Sequence, residues 1–298
     1  MNGQDRKALL FAREKEILEL QKKNARDDGV FRVLMMSNSA CFYYIDELHG
    51  LLEAAGIRAE VCNLYRSGGS LDQLWDSFLA GAPEYAFYTM NENGRVKTPD
   101  VTLSFALSYA KWNAICLHQG KVYLNRMLDR EAAYETCNPY AGDLYALFRR
   151  VCPQAALYWN QVWAYQTGFV SEKKGDIPNE AVQEKHHQAI RYVAHRISEE
   201  QGVTLIPSGD AWQIARRDPR VGDVLCNRLK DGGDNAHDGD IGGGQYLNAA
   251  VWFEVLTGKS VTGNSFRPEY ELSEKKIAAL QEAAHRAVRA ICGEGKKT

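Results

Sequence analysis

Short apolar runs alternate along the chain with longer segments whose apolar residues recur at helical spacing. The first run, Val33–Met36, has four apolar residues without alternation, as is typical of a strand buried on both faces in a parallel sheet. The other runs predicted as strands are Glu60–Leu64, Ala114–Leu117, Ala155–Trp159 and Val203–Ile206. Strands and helices alternate without an internal repeat or linker. The pattern therefore predicts a doubly wound α/β domain, with three α/β/α layers around a mostly parallel five-stranded sheet.

The periodicity also predicts the helices and one hairpin. Residues 1–28 are interpreted as an extra amphipathic helix that lies on the domain or on a partner subunit, and residues 29–298 as the single domain. Tyr85–Met90 and Val96–Val101 flank Asn91-Glu92-Asn93-Gly94, which is typical of a hairpin. The other predicted helices are Tyr43–Ala55, Leu71–Leu79, Thr102–Lys111, Pro139–Arg150, Ala181–Gln201, Ala211–Arg217, Gln245–Leu256 and Leu272–Ile291.

The composition is that of an ordinary globular protein, with 45% hydrophobic and 25% charged residues. A net charge of −2 gives no indication of a nucleic acid or an anionic membrane as partner. The seven cysteines are scattered, which favours reduced, packed thiols over disulfides or a zinc site. The amino terminus is highly charged, unlike a signal peptide, and no apolar run approaches membrane-spanning length. We therefore expect a cytoplasmic protein with no membrane contact.

Small or polar residues follow the predicted strands at their carboxyl ends, where open α/β sheets bind ligands. Ser39, Gly68, Gln119 and Asn160 each follow a different strand, so they should converge at one edge of the sheet. A serine between a strand and a helix has its hydroxyl at that edge, next to the free N–H groups of the helix. The alternative is that Ser37, Asn38 and Ser39 only cap the helix.

A late loop, residues 231–240, is dense in Asp and Gly and contains His237 with Asp234 three residues before it. This spacing lets one short loop supply an imidazole and the acid that orients it, as a serine nucleophile requires. The alternative is a calcium site, although the spacing departs from an EF-hand loop and no Glu closes it. Phosphate binding by residues 242–244 is a weaker reading, because no Lys-Ser/Thr follows. We predict no metal and no cofactor.

Taken in order, these residues resemble the SGNH/GDSL hydrolase superfamily. The similarity is closer to a bacterial branch known as an SGNH-like domain of unknown function, and it covers about residues 31 to 270. The resemblance implies the flavodoxin-like SGNH hydrolase fold. The segments that carry the closer similarity are Asn63-Leu64-Tyr65, Ser70-Leu71, Leu117-His118-Gln119, Trp163-Ala164-Tyr165, Ile206-Pro207-Ser208-Gly209, His237-Asp238-Gly239-Asp240, Tyr246-Leu247 and Trp252-Phe253-Glu254.

The resemblance implies a role for each candidate residue. Ser39 would be the nucleophile, His237 the general base, and Asp234 the residue that orients His237. The backbone N–H groups of Ser39 and Gly68, with the side-chain amide of Gln119, would form the oxyanion hole. Substrate contacts are expected from Asn38, His118, Asn160, Trp163 and Tyr165.

Two hypotheses for the function follow. The first is a serine esterase or deacetylase that cleaves a small acyl ester, with an O-acetylated carbohydrate as one candidate. The second is a non-catalytic SGNH-like protein that binds a ligand or a carbohydrate. Three departures from the family pattern support the second: Ser37 replaces a glycine, Ala40 an aromatic residue, and the third-block Gly-x-Asn is missing. A homodimer through the amino-terminal helix is also left open.

Overall fold

Seven strands form one sheet in this computed structural model, which describes residues 3–24, 28–120, 129–165, 167, 180–221, 243–269 and 271–294. The strands are β1 (Phe31–Ser37), β2 (Ala59–Tyr65), β3 (Tyr85–Asn91), β4 (Gly94–Val101), β5 (Ala114–Leu117), β6 (Ala156–Asn160) and β7 (Thr204–Ile206). Their order across the sheet is β4-β3-β2-β1-β5-β6-β7. Along the part of this order that runs β2-β1-β5-β6-β7, all neighbouring strands are parallel.

The five predicted strands are confirmed as this parallel part of the sheet. The hairpin of β3 and β4 extends it with two antiparallel strands, so the sheet has seven strands rather than the five predicted. In β3, buried and half-buried residues alternate from Tyr85 to Thr89, and β4 is exposed over most of its length. This exposure is consistent with an edge, and the sequence pattern does not show which strand the hairpin joins.

The helices surround the sheet on both sides. Most lie within a few residues of their predicted positions, and the predicted helix Tyr43–Ala55 corresponds to Ile45–Ala54 in the structure. A four-residue helix before it, Ser39–Phe42, was not predicted. A short helix, Arg130–Glu135, was not predicted. In the described residues the helices are α1 (Gly3–Asn24), α2 (Ser39–Phe42), α3 (Ile45–Ala54), α4 (Leu71–Ala80), α5 (Leu103–Ser108), α6 (Arg130–Glu135), α7 (Tyr140–Val151), α8 (Glu180–Gln201), α9 (Ser208–Arg216), α10 (Gly244–Thr257) and α11 (Glu274–Glu294).

The core lies between the sheet and its two helical layers. Helix α10 packs against α3, α9 and α11, while α4 and α8 both contact α7. The side chains of Val33–Met36 are fully buried in the centre of the sheet. Because the five strands β2, β1, β5, β6 and β7 are parallel, their carboxyl ends meet at one edge, which is where ligands bind in such sheets.

Helix α1 packs on α4, α5 and α7. Its Ile17 is fully buried, and Gln21 donates from its amide nitrogen to the carbonyls of Leu107 and Val151 at 3.1 and 2.9 Å. No described helix has both the length and the apolar character needed to cross a bilayer. The cysteines whose side chains are described are buried free thiols: Cys41, Cys62, Cys116, Cys137 and Cys152.

Candidate functional site

The turn after β1 leaves the side chain of Ser39 partly exposed, although the turn contains no glycine. Ser37 is the last residue of the strand, so its backbone is extended, a conformation that any residue adopts. Asn38 is also extended and caps α2, because its side-chain oxygen accepts from the Ala40 N–H at 3.0 Å. Ser39 is therefore the first residue of the helix and not its cap. Its side chain is half-buried, and its hydroxyl forms no hydrogen bond to a described residue.

Buried hydrogen bonds hold this turn against two other segments. The Asn38 amide nitrogen donates to the Gly69 carbonyl at 2.7 Å, and Nε2 of His118 lies 2.9 Å from the Asn38 oxygen. Since that oxygen can only accept, Nε2 of His118 carries the proton. Nδ1 of His118 must then accept from the Cys41 thiol, 3.0 Å away. The network joins the ends of β1 and β5 to the loop after β2.

Burial determines the protonation of this network. It lowers the pKa of His118 to about 3, so the ring is neutral at physiological pH. Burial also raises the pKa of the Cys41 thiol above its ordinary value. The pair of Cys41 and His118 is therefore not an activated nucleophile, which would need a thiolate. The structure gives His118 and Asn38 a positioning role, and their predicted contact with substrate stays a prediction.

Gly68 lies in the loop after β2, in the left-handed region with φ of +63°. Nothing lies within 4 Å of where a Cβ would be, so the glycine is required by its backbone conformation and not by space. The same loop provides the Gly69 carbonyl that accepts from Asn38. The predicted oxyanion donors at Ser39 and Gly68 thus belong to segments joined by a buried hydrogen bond.

Gln119 follows β5, as predicted, and its side chain is buried. Its oxygen accepts from the N–H groups of Gly120 and Leu71 at 2.8 and 3.3 Å. Its amide nitrogen donates to the Thr136 carbonyl at 2.6 Å. These bonds tie β5 to the start of α4 and the end of α6. They give Gln119 a structural role, and its role as an oxyanion donor stays a prediction.

The other expected substrate contacts lie at the end of β6 and directly after it. Asn160 is buried, its oxygen accepts from the Ser208 hydroxyl at 2.7 Å, and its amide nitrogen has no partner among the described residues. Trp163 is fully buried and stacks on Trp212, with 4.9 Å between ring centroids, so it belongs to the core. Tyr165 is half-buried. Contact of these residues with a substrate stays a prediction.

The predicted general base His237 and its partner Asp234 lie outside the described residues, as do the Asp residues of the calcium alternative. Within the ranges that the structure describes, no group of three or more His, Cys, Asp or Glu side chains could hold a metal ion.

A histidine–carboxylate pair that was not predicted lies close to the end of β7. His187 of α8 and Asp210 of α9 lie 3.2 Å apart, and Gln161 donates to Asp210 at 2.9 Å. Burial acts to raise the pKa of Asp210, but the bonds from His187 and Gln161 outweigh it and leave this pKa below its ordinary value. Asp210 follows β7 by four residues, which indicates the same edge of the sheet. No pattern in the sequence predicts that Asp210 pairs with His187 of α8.

Comparison with known proteins identifies the family. The chain folds as a mostly parallel sheet with helices on both sides. A model described as a domain of unknown function (DUF4886) matches residues 32–287, and the chain therefore belongs to the DUF4886 family. This match confirms the branch suggested by the sequence. No curated protein matches the chain.

A solved structure from the same family agrees with this assignment. The crystal structure of a DUF4886 family protein from Bacteroides uniformis ATCC 8492 is 28% identical, with a TM-score of 0.72, over 87% of this chain and 95% of that one. A structure described as a GDSL-like lipase, from Parabacteroides merdae ATCC 43184, is 16% identical, with a TM-score of 0.46, over 76% of this chain and 95% of that one. The Bacteroides structure is thus similar to nearly the whole domain.

Proposed function

We propose that the protein is a serine esterase or deacetylase that cleaves a small acyl ester, with Ser39 as nucleophile. The observation that supports this proposal most directly is the turn after β1. Asn38 makes the capping hydrogen bond, which leaves the half-buried Ser39 hydroxyl uncommitted among the described residues at the ligand-binding edge of the sheet.

In the proposed reaction, the Ser39 oxygen attacks the ester carbonyl carbon while His237 accepts the hydroxyl proton. The carbonyl oxygen becomes negative, and the N–H groups of Ser39 and Gly68 donate to it, with Gln119 as the proposed third donor. Loss of one such donor typically costs about 2.7–4 kcal/mol of transition-state stabilisation.

The C–O bond then breaks, and His237 gives its proton to the departing alcohol. Water deprotonated by His237 next attacks the acyl-enzyme, releasing the carboxylic acid and restoring Ser39. Asp234 stabilises the imidazolium.

Turnover of p-nitrophenyl acetate tests the proposal. We expect hydrolysis by the wild type and a fall to the background rate in Ser39→Ala and His237→Ala. Ser67→Ala is the matched control, because Ser67 is an exposed serine in the loop after β2, and it should retain the wild-type rate. Equal rates in the wild type, Ser39→Ala and His237→Ala would exclude the proposed reaction.

The second candidate is a binding protein in which the site is retained without the chemistry. The hydrogen bond from the Gln119 amide to the Thr136 carbonyl favours it, because one of the two N–H donors of this amide is already used in the structure. The two candidates differ in the same assay, since a binding protein shows no hydrolysis that depends on Ser39.

A further inference from the structure

We propose that an aromatic cluster next to Ser39 binds the alcohol portion of the substrate, and that this portion carries a ring and a negative charge. The aromatic cluster consists of Phe42, Tyr65 and Tyr88, with Arg95 and Lys97 beside it. The inference rests on the proposed function for the identity of the substrate and on the structure alone for the binding surface.

The three rings pack together while remaining partly open to solvent. The centroid of Phe42 lies 4.8 Å from that of Tyr65 and 4.5 Å from that of Tyr88, and the two tyrosine rings are 6.0 Å apart. All three side chains are half-buried. The hydroxyls of Tyr65 and Tyr88 form no hydrogen bond to a described residue, so they remain available to a ligand.

The aromatic cluster lies beside the proposed nucleophile because of the local backbone. Phe42 follows Ser39 by three residues in α2, which places the two side chains on the same face of the helix. Tyr65 is the register partner of Ser37, and neighbouring strands are about 4.8 Å apart. An ester held at Ser39 would therefore have its alcohol portion within reach of the rings.

Two cations give the aromatic cluster its charge preference. The guanidinium of Arg95 lies 5.2 Å from the Phe42 centroid and is paired with Asp46 at 2.5 Å, so its charge is balanced. The ammonium of Lys97 lies 5.7 Å from the Tyr88 centroid and forms no ion pair with a described residue. The ring positions this ammonium at the edge of the cluster. An anionic group on the ligand would pair with it.

This combination selects one ligand class, an alcohol whose ring offers an apolar face and whose substituent is a carboxylate or a similar anion. Both an aryl ring and a sugar ring have such a face, so the test includes one of each. The anionic probes are 4-(hydroxymethyl)benzoate and methyl β-glucuronoside, and the neutral probes are benzyl alcohol and methyl β-glucoside.

Binding is measured by NMR titration of the full chain carrying Ser39→Ala, so that turnover plays no part. With Tyr88→Thr we expect affinity for the preferred ring to fall about fivefold. With Lys97→Gln we expect a fall of about threefold for the anionic probe and none for its neutral counterpart. Val96→Thr is the control, because Val96 is the exposed neighbour of Lys97 on the other side of the strand, and it should change nothing. If Tyr88→Thr fails to fold, Tyr65→Thr removes another ring of the aromatic cluster and should show a similar fall, and an unchanged affinity would overturn the inference.

The outcomes separate this inference from the proposed function. Binding that depends on Tyr88 and Lys97, without hydrolysis that depends on Ser39, would support the aromatic cluster and reject the esterase. Hydrolysis that depends on Ser39, without binding of any probe, would support the esterase and overturn the aromatic cluster. Equal weakening of anionic and neutral probes by Lys97→Gln would overturn the charge preference.

Discussion

At the scale of single residues, the polar side chains behind Ser39 satisfy one another. Asn38 uses its oxygen for the Ala40 N–H and for His118, and its nitrogen for Gly69. A buried polar group without a partner costs about 1–3 kcal/mol, so the network is favourable only when it is complete. We infer that His118 holds the turn and the loop together as a neutral hydrogen-bonding group.

The neutral state of His118 predicts a pH dependence of stability. Its pKa is lowered by burial to about 3, while an unfolded histidine binds a proton below about 6.5. The unfolded state therefore binds more protons between these values, and the free energy of unfolding falls as the pH is lowered through this window. The slope for one proton is at most about 1.4 kcal/mol per pH unit.

His118→Gln retains a donor and an acceptor but does not titrate, so it should remove this part of the slope. Urea unfolding of the wild type and the variant between pH 6.5 and pH 5, roughly the upper part of the window, measures the difference. The pKa of His186 is also lowered by burial, but this residue is present in both proteins, so its contribution to the slope cancels in the comparison. Parallel curves for the two proteins would show that His118 is not the buried neutral group described here.

At the scale of elements, the loop after β2 depends on the backbone of Gly68. An alanine there would adopt φ of +63° at a cost of about 1 kcal/mol without meeting any neighbour. We expect Gly68→Ala to lose both this stability and most of the esterase activity, because relaxation of the loop moves the proposed oxyanion donor.

Gly56 provides a matched control for this prediction. It has φ of +74° and open space around it, and it lies after α3 at the opposite end of β2. Gly56→Ala should show the same loss of stability with unchanged kcat/KM. If both variants retained activity equally, Gly68 would have no part in the proposed site.

Helix α1 is fixed to the domain by polar contacts as well as by Ile17. Gln21→Ala removes the donor to the carbonyls of Leu107 and Val151, so we expect a loss of about 1–3 kcal/mol in the free energy of unfolding. Lys22→Ala, next in the chain and exposed, should change this free energy by less than about 0.5 kcal/mol. Denaturant unfolding checks both, and equal effects would mean that α1 is not docked through Gln21.

At the scale of the whole molecule, the sequence predicted the structural features that depend on the local pattern of apolar and polar residues. Apolar runs identified the parallel strands, and their carboxyl ends placed Ser39, Gly68, Gln119 and Asn160 at one edge. The partners of side chains were not predictable in this way. Which of three consecutive polar residues caps α2 depends on the local backbone geometry, and the cap is Asn38. The hydrogen bonds of His118 to Asn38 and Cys41 join segments distant in the chain.

The burial of individual aromatic side chains was also not predictable from the sequence. The sequence places Trp163 after a strand, close to the binding edge, but it cannot show that Trp212 covers its ring. The aromatic cluster was missed for the converse reason. Phe42 and Tyr88 read as ordinary apolar positions of a helix and a hairpin, and only the pairing of β2 with β3 brings Tyr88 to Tyr65.

The central claim is that Ser39 is an activated nucleophile. Labelling of the full chain with a fluorophosphonate, followed by peptide mapping by mass spectrometry, tests it most directly. We predict one phosphonylated residue, Ser39, with labelling abolished in Ser39→Ala and strongly slowed in His237→Ala. Absence of label, or label on another residue at an unchanged rate in Ser39→Ala, would contradict the account.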